Sequence, residues 1–415
     1  MQAVNFSLQC AQKWVMPLCV NLSFGNTYGS HSGTSLLETY LDGAAQIGRT
    51  SIVVGSGNEG ADAGHVSGRL EPNQSMQVEF AVGNYEPSLS IQIWKHPWDE
   101  VRFAVISPMG ERAELVSGSE KDASANAQED IGIDASANAQ EDIGKDAPAN
   151  VLQEDIGKDA PSNAQEDMSE DALQGAAMPA AESGYLHILE DEEKEAARNR
   201  QNEIDIVRLG DTRLYAYYGQ PSPYQIYQEI YLDFLPLENY LTAGIWRIQL
   251  IAQSVKEGGF AMWMPAGSAR GTATGFLTPT SETTLTIPST ASRVITVGAY
   301  DSGTMRLAAF SGRGYTWSRD IVKPELVAPG VDIVSCSANG GYESRSGTSM
   351  AAPFVTGSCA ILMQWGIVDG NAPYLYGDKM KARLIGSAKE LPFEQQYPNP
   401  QTGWGALCVK MLRTF

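Results

Sequence analysis

The sequence is short of histidine, of paired cysteine and of positive charge, and each shortage excludes something. Five cysteines (Cys10, Cys19, Cys336, Cys359, Cys408) are odd in number, scattered and without a C-x-x-C pair. That pattern argues against a disulfide framework or a zinc site and for reduced core residues. Lys and Arg number 29 against 49 Asp and Glu, a formal charge of −20. With that sign, nucleic acid and an anionic membrane surface are excluded as expected partners. No apolar run approaches the ~18 residues of a membrane-spanning helix, and Met1-Gln2-Ala3-Val4 does not open a basic-then-apolar leader. A soluble protein is expected. Its 415 residues suffice for a large core, so a small stapled scaffold is excluded as well.

What is present starts as α/β. Val4, Phe6, Leu8, Ala11 and Trp14 make a loose helical stripe, and Leu18-Cys19-Val20-Asn21-Leu22 reads as a buried strand. Ser35-Leu36-Leu37-Glu38 has the spacing of a capping box, followed by the apolar face Leu36, Leu37, Tyr40, Leu41, Ala44 and Ala45. A second strand, Ser51-Ile52-Val53-Val54, runs into the glycine-rich 55–60. Strand, helix and strand in this order predict a parallel sheet.

From about residue 70 the period changes to two. Met76, Val78, Phe80 and Val82 alternate with polar neighbours, as do Leu89, Ile91 and Ile93, and later Trp246, Ile248 and Leu250. Short alternating strands predict an antiparallel sandwich or jelly roll, ending near Pro265. The expected domains are 1–69 and 266–415 for the two α/β segments and 70–265 for the insert. Aromatic residues in the insert (Trp94, Trp98, Tyr215, Tyr217, Tyr218, Tyr224) are expected in its core. Within it, 119–184 holds a tandem unit of the form KDASANAQEDIG, which has no aromatic residue and reads as a disordered acidic loop. Residues 119–182 alone carry sixteen acids against three lysines, so most of the net charge belongs to this loop and says nothing about a binding cleft.

Two constellations could carry chemistry. Gly55-x-Gly57-x-x-Gly60 matches a dinucleotide fingerprint in letters, but it precedes Pro72 and a β stretch instead of opening a helix. Asn58 is the informative residue there: at the end of a parallel strand its carboxamide can donate to a developing oxyanion, although a plain turn asparagine fits the same letters. In Ser346-Gly347-Thr348-Ser349-Met350-Ala351-Ala352-Pro353, small residues leave the Ser349 hydroxyl uncrowded at a helix start, where its N–H is an orphan donor. Ala351 stands where a Gly-x-Ser-x-Gly elbow needs its second glycine, and an N-cap serine is the plainer alternative.

GTSMAAP at 347–353 resembles the serine motif of the subtilisin-like proteases, the subtilases (peptidase S8). Three more stretches agree in order: Val20-Asn21-Leu22-Ser23-Phe24-Gly25 is similar to the substrate strand, Val53 to Gly60 to the oxyanion-asparagine segment, and Lys323-Pro324-Glu325-Leu326-Val327-Ala328-Pro329-Gly330 to the segment before the serine. Within the family the chain looks most like clostridial spore-germination-type subtilases, which carry a jelly roll between the asparagine and the serine. The resemblance implies an α/β subtilisin-like parallel sheet, here incomplete, with helices on both faces and an inserted antiparallel β-sandwich. It implies a serine endopeptidase acting on protein or peptide, with Ser349 as nucleophile, Asn58 and the Ser349 N–H as oxyanion hole, Ser23, Phe24 and Gly25 pairing with substrate, and Gly55, Ser56 and Gly57 lining the slot for the residue before the scissile bond. Glycines there would keep the slot open. No cofactor and no metal ligand set is implied, and structural calcium is left open. A cytoplasmic or spore-associated location is implied by the relatives alone.

The departure from the family concerns the base. Subtilases order their triad aspartate, histidine, serine, with the first two upstream of the substrate strand, yet residues 1–19 hold neither Asp nor His. His31, His65, His96 and His187 all follow that strand; His31, in Gly29-Ser30-His31-Ser32-Gly33-Thr34, imitates a catalytic motif in the wrong place, and His65 is expected in a loop. Without a base Ser349 is an ordinary hydroxyl, so the chain alone is expected to be nearly inactive. A truncated reading frame, one half of a split enzyme whose upstream partner supplies Asp and His, a pseudoprotease, and a protein- or carbohydrate-binding module remain open.

Overall fold

The computed structural model describes residues 1–115, 204–314, 321–394 and 396–410; the acidic repeat and His187 lie outside them. The chain opens with α1 (Gln2–Lys13), β1 (Leu18–Leu22), α2 (Leu36–Ala44) and β2 (Thr50–Gly55). Ser35 and Glu38 close the expected capping box: the Glu38 N–H donates to Ser35 Oγ, and Glu38 Oε2 accepts from the Ser35 N–H. β1 and β2 run parallel, with Val20 opposite Ile52 and Leu22 opposite Val54.

After a long antiparallel section the α/β part resumes with β14 (Ile295–Asp301), β15 (Arg306–Leu307) and β16 (Leu326–Pro329). β14 lies parallel to both β2 and β16, giving the order β1-β2-β14-β15 with β16 also on β14. Two helices follow, α3 (Thr348–Met363) and α4 (Gly377–Gly386). Every residue of β2 is buried because both sheet faces are covered. Ile52 and Val54 pack with Val4, Leu8 and Leu41 of α1 and α2, while Val53 joins Val355, Cys359 and Leu362 of α3. Lys323 and Glu325, both buried and 2.9 Å apart, pin this sheet; Lys323 Nζ also donates to Val294 O and Thr296 Oγ1. Burial lowers the Lys323 ammonium to about 8.

Between these segments lie β3 (His65–Arg69), β4 (Ser75–Val82), β5 (Leu89–Lys95), β6 (Glu100–Ile106), β7 (Arg112–Leu115), β8 (Ile204–Leu209), β9 (Thr212–Tyr218), β10 (Gln228–Pro236), β11 (Gly244–Ser254), β12 (Gly259–Trp263) and β13 (Gly275–Phe276). They form two antiparallel sheets, β3-β12-β5-β10-β9-β8 and β13-β4-β11-β6-β7. One core is shared by both, built from the alternating residues Val78, Phe80, Ile91, Ile93, Leu232, Phe234, Trp246, Ile248 and Leu250. The sequence boundaries 70 and 265 fall inside this pair of sheets, because β3 begins at His65 and β13 ends at Phe276. Neither strand has an alternating pattern of its own, and only pairing with β12 and β4 reveals them.

Three further expectations change. Trp94 is fully buried, but Trp98, Tyr217 and Tyr224 are exposed, with Tyr215 and Tyr217 stacked on the outer face of β9. Of the cysteines, only Cys359 is buried and Cys336 is exposed. The helical stretch Thr348–Val368 is long and apolar enough to cross a membrane, contrary to the reading of apolar runs; half of that stretch is buried, and α3 packs on β14, β2, β1 and β16.

Candidate active site

Ser349 is the second residue of α3, and Gly347 is the N-cap, so the N-cap reading of the serine does not hold. The position leaves the Ser349 N–H without an acceptor in the first helical turn, aimed out of the helix end. Two links hold the residue in place. Pro353 has no N–H to offer Ser349 O, four residues before it, and the freed carbonyl accepts instead from Ser23 Oγ at 3.1 Å. Ser23 Oγ in turn accepts from Asn21 Nδ2 at 2.9 Å, and Asn21 Oδ1 accepts from Thr356 Oγ1 of α3 at 3.0 Å. The end of β1 is thereby stitched to the nucleophile helix.

Asn58 stands on the turn after β2, exposed, and is not merely a turn residue. Its Oδ1 accepts from the Thr348 N–H at 2.9 Å and Thr348 Oγ1 at 3.1 Å. Thr348 Oγ1 also accepts from the Gly57 N–H at 3.2 Å. With Oδ1 occupied by donors, the amide orientation is fixed and Nδ2 is the group left to donate. Asn58 and Ser349 therefore belong to two adjoining elements linked through Thr348 at one helix start. Thr348 was missed as a site residue, although it sits in the serine motif itself. Next to Asn58 in the chain, burial and then Asp62 push the Glu59 carboxyl up to about 7.

Packing gives the glycines a reason of its own. A Cβ at Gly55 would lie 3.0 Å from Thr348 Oγ1, and one at Gly57 (φ +99°) would lie 2.5 Å from Thr286 Cγ2. At Gly25 it would lie 3.0 Å from Thr286 Cβ. These positions are small because protein already occupies the neighbouring space. Ser56 is fully buried, whereas Ser23 and Phe24 are exposed along the chain leaving β1.

No described histidine hydrogen-bonds to Ser349. His31 is buried, its ring 3.7 Å from that of Trp263 and stacked on it, with Nδ1 and Nε2 against Leu285 O and Thr27 O. His65 is buried in β3, not in a loop, with its ring 4.1 Å from that of Trp263 and tilted against it. Burial lowers them to about 4 and about 3, so both are neutral at ordinary pH. His96 follows β5 and lies near Trp98 and Tyr227.

Ser349 at a helix start, Asn58 after a parallel strand and the exposed Ser23 and Phe24 after β1 thus lie at one end of the parallel sheet. The subtilase family model matches residues 248–405. The CspB protease of Clostridium perfringens, a solved structure, superposes on 99% of this chain with a TM-score of 0.74 at 29% identity, and the chain covers 68% of it. A thermophilic serine proteinase of Bacillus sp. (strain AK1) is 47% identical over 79 residues, and subtilisin DY of Bacillus licheniformis is 34% identical over 111. These matches span 18% and 35% of those two curated relatives. Residues 248–405 thus match the subtilase family, and these relatives support a subtilisin-like protease.

Proposed function

We propose that this chain is the nucleophile-bearing part of a serine endopeptidase. Ser349 Oγ attacks the scissile carbonyl and forms an acyl-enzyme, which water then hydrolyses. Asn58 Nδ2 and the Ser349 N–H receive the developing oxyanion, Ser23, Phe24 and Gly25 pair with the peptide as an added strand, and Gly55, Ser56 and Gly57 border the slot before the scissile bond. The two antiparallel sheets are a jelly-roll insertion between the catalytic segments. The Thr348 clamp on Asn58 carries this reading, since it holds an otherwise mobile carboxamide with its donor side free.

The proton on Ser349 needs an acceptor. We assign that acceptor, with its aspartate, to a polypeptide encoded upstream that docks beside β1. The test is labelling of Ser349 by a fluorophosphonate probe, read by intact mass. Weak or no labelling is expected for the chain alone, and strong labelling after mixing with the upstream polypeptide, lost in Ser349→Ala. An unlabelled Ser349 in the mixture would leave a pseudoprotease, in which the same site binds peptide without cleaving it.

A further inference from the structure

We propose that Cys19 and Cys359 form a thiol–disulfide pair: Cys19 is the site at which a small anionic disulfide of the glutathione type attaches, and Cys359 is the thiol that resolves the adduct. The pair takes no part in the serine chemistry and stands apart from the protease reading. No C-x-x-C spacing announces it, because the fold alone brings the two residues together.

Cys19 lies on β1 opposite Ser51 of β2, and Cys359 lies in α3. Cys19 Sγ is 3.5 Å from Thr356 O, and Thr356 stands one turn before Cys359 on the helix. The Cys19 thiol also meets the Cys359 thiol there, and that hydrogen bond, with burial, holds Cys359 well above the ordinary thiol range. Cys359 is fully buried among the apolar residues between α3 and the sheet, and Cys19 packs against them while itself half-buried.

Cys19 also borders a cleft of about 420 Å³, together with Met16, Arg49, Ala360, Met363 and Val368. A reagent entering this cleft meets Cys19 first, with Cys359 shielded in the core. Arg49 is the charged residue of a lining otherwise apolar apart from Gln364, so a reagent carrying carboxylates is favoured there.

The exchange runs in two steps. The Cys19 thiolate attacks one sulfur of the reagent, a mixed disulfide forms, and one glutathione thiolate leaves. Cys359 then gives its proton to water and attacks the Cys19 sulfur, releasing the second glutathione thiolate. Two protein thiols are oxidised to one disulfide, and the reagent is reduced to two thiols. The new bond ties β1 to the helix that begins at Thr348.

The test incubates the intact chain with glutathione disulfide, blocks remaining thiols with iodoacetamide under denaturing conditions, and digests with trypsin. Cleavage at Lys13, Arg49, Arg345 and Lys379 leaves Cys19 and Cys359 on peptides that hold no other cysteine. A link between these two peptides is expected, split by dithiothreitol and at least about tenfold more abundant than any other cysteine pairing, because the fold holds the thiols together. In Cys359→Ala the glutathione adduct should remain on Cys19, and in Cys19→Ser the Cys359 thiol should stay unmodified. Arg49→Gln should slow the reaction with glutathione disulfide about threefold at low salt and leave that with neutral hydroxyethyl disulfide unchanged. An unreactive Cys19, a lasting adduct on Cys19 of the intact chain, or Cys19 joined to Cys10, Cys336 or Cys408 overturns the pair. So does a Cys359 that reacts directly in Cys19→Ser. An equal effect of Arg49→Gln on both reagents overturns the preference for an anionic one. Failure of fluorophosphonate labelling at Ser349 would count against the protease reading alone, because the exchange does not involve that serine.

Discussion

The two parts of the described chain differ in how completely they bury themselves. The antiparallel sheets close on each other: Phe80, Ile91, Ile93, Leu232, Phe234, Trp246 and Ile248 are all at or below 1% exposure in one continuous core. The parallel sheet is covered on both faces at β2 but not at its margin. β1 hydrogen-bonds to β2 alone among the described strands, its residues are half-buried or exposed, and Val15, Met16 and Val368, exposed, line a cleft with Cys19 of β1. The difference teaches that the part holding the candidate site is the less self-sufficient of the two. An unpaired strand edge flanked by apolar side chains is a place for added chain.

The comparison can be broken at three points, from the largest effect down. Trp246→Ala empties the centre of the antiparallel core and should cost about 3 to 5 kcal/mol by denaturant melts. A cost below about 1 kcal/mol would mean that core is not the stable half. Next come two residues on paired parallel strands. Ile52→Ala, at 1% exposure, should cost about 2 to 5 kcal/mol, and Leu22→Ala on the margin clearly less. Docking of a partner should enlarge the Leu22 effect and leave that of Ile52 unchanged. The third point is Trp263, against which the rings of His31 and His65 both pack. Both imidazoles are depressed below the ordinary 6.5, so the unfolded chain binds protons there that the folded chain refuses. Stability is present above pH 6.5 and is lost as pH falls toward about 4. Thermal midpoints should decline through that window, less steeply in His65→Gln; parallel curves for the two proteins would remove the histidines as the cause.

Legibility in the sequence followed the locality of the cause. The Ser35–Glu38 box, the strand Thr50–Gly55 and the alternation of Trp246, Ile248 and Leu250 each depend on neighbours in the chain, and each formed as read. β3 and β13 were missed because a short strand without alternation exists only by virtue of its partner. The outward Tyr215 and Tyr217 were misread because period two fixes that residues alternate, not which set faces the core. At the candidate site, glycine and alanine spacing marks Ser349 and Asn58 in the sequence, whereas nothing near Thr286 announces its packing against Gly25 and Gly57.

The sequence by itself determined the resemblance to the subtilases, the order of strand, asparagine and serine, and the location of the excess charge in the repeat. Those are properties of residue type and spacing. Tertiary structure alone decided that Thr348 clamps Asn58, that Pro353 releases the Ser349 carbonyl to Ser23, that two histidines are spent on Trp263, and that Thr286 stands between Gly25 and Gly57. Each joins groups that are distant along the chain or turns on where a packed side chain points, and such contacts arise only when the sheets close.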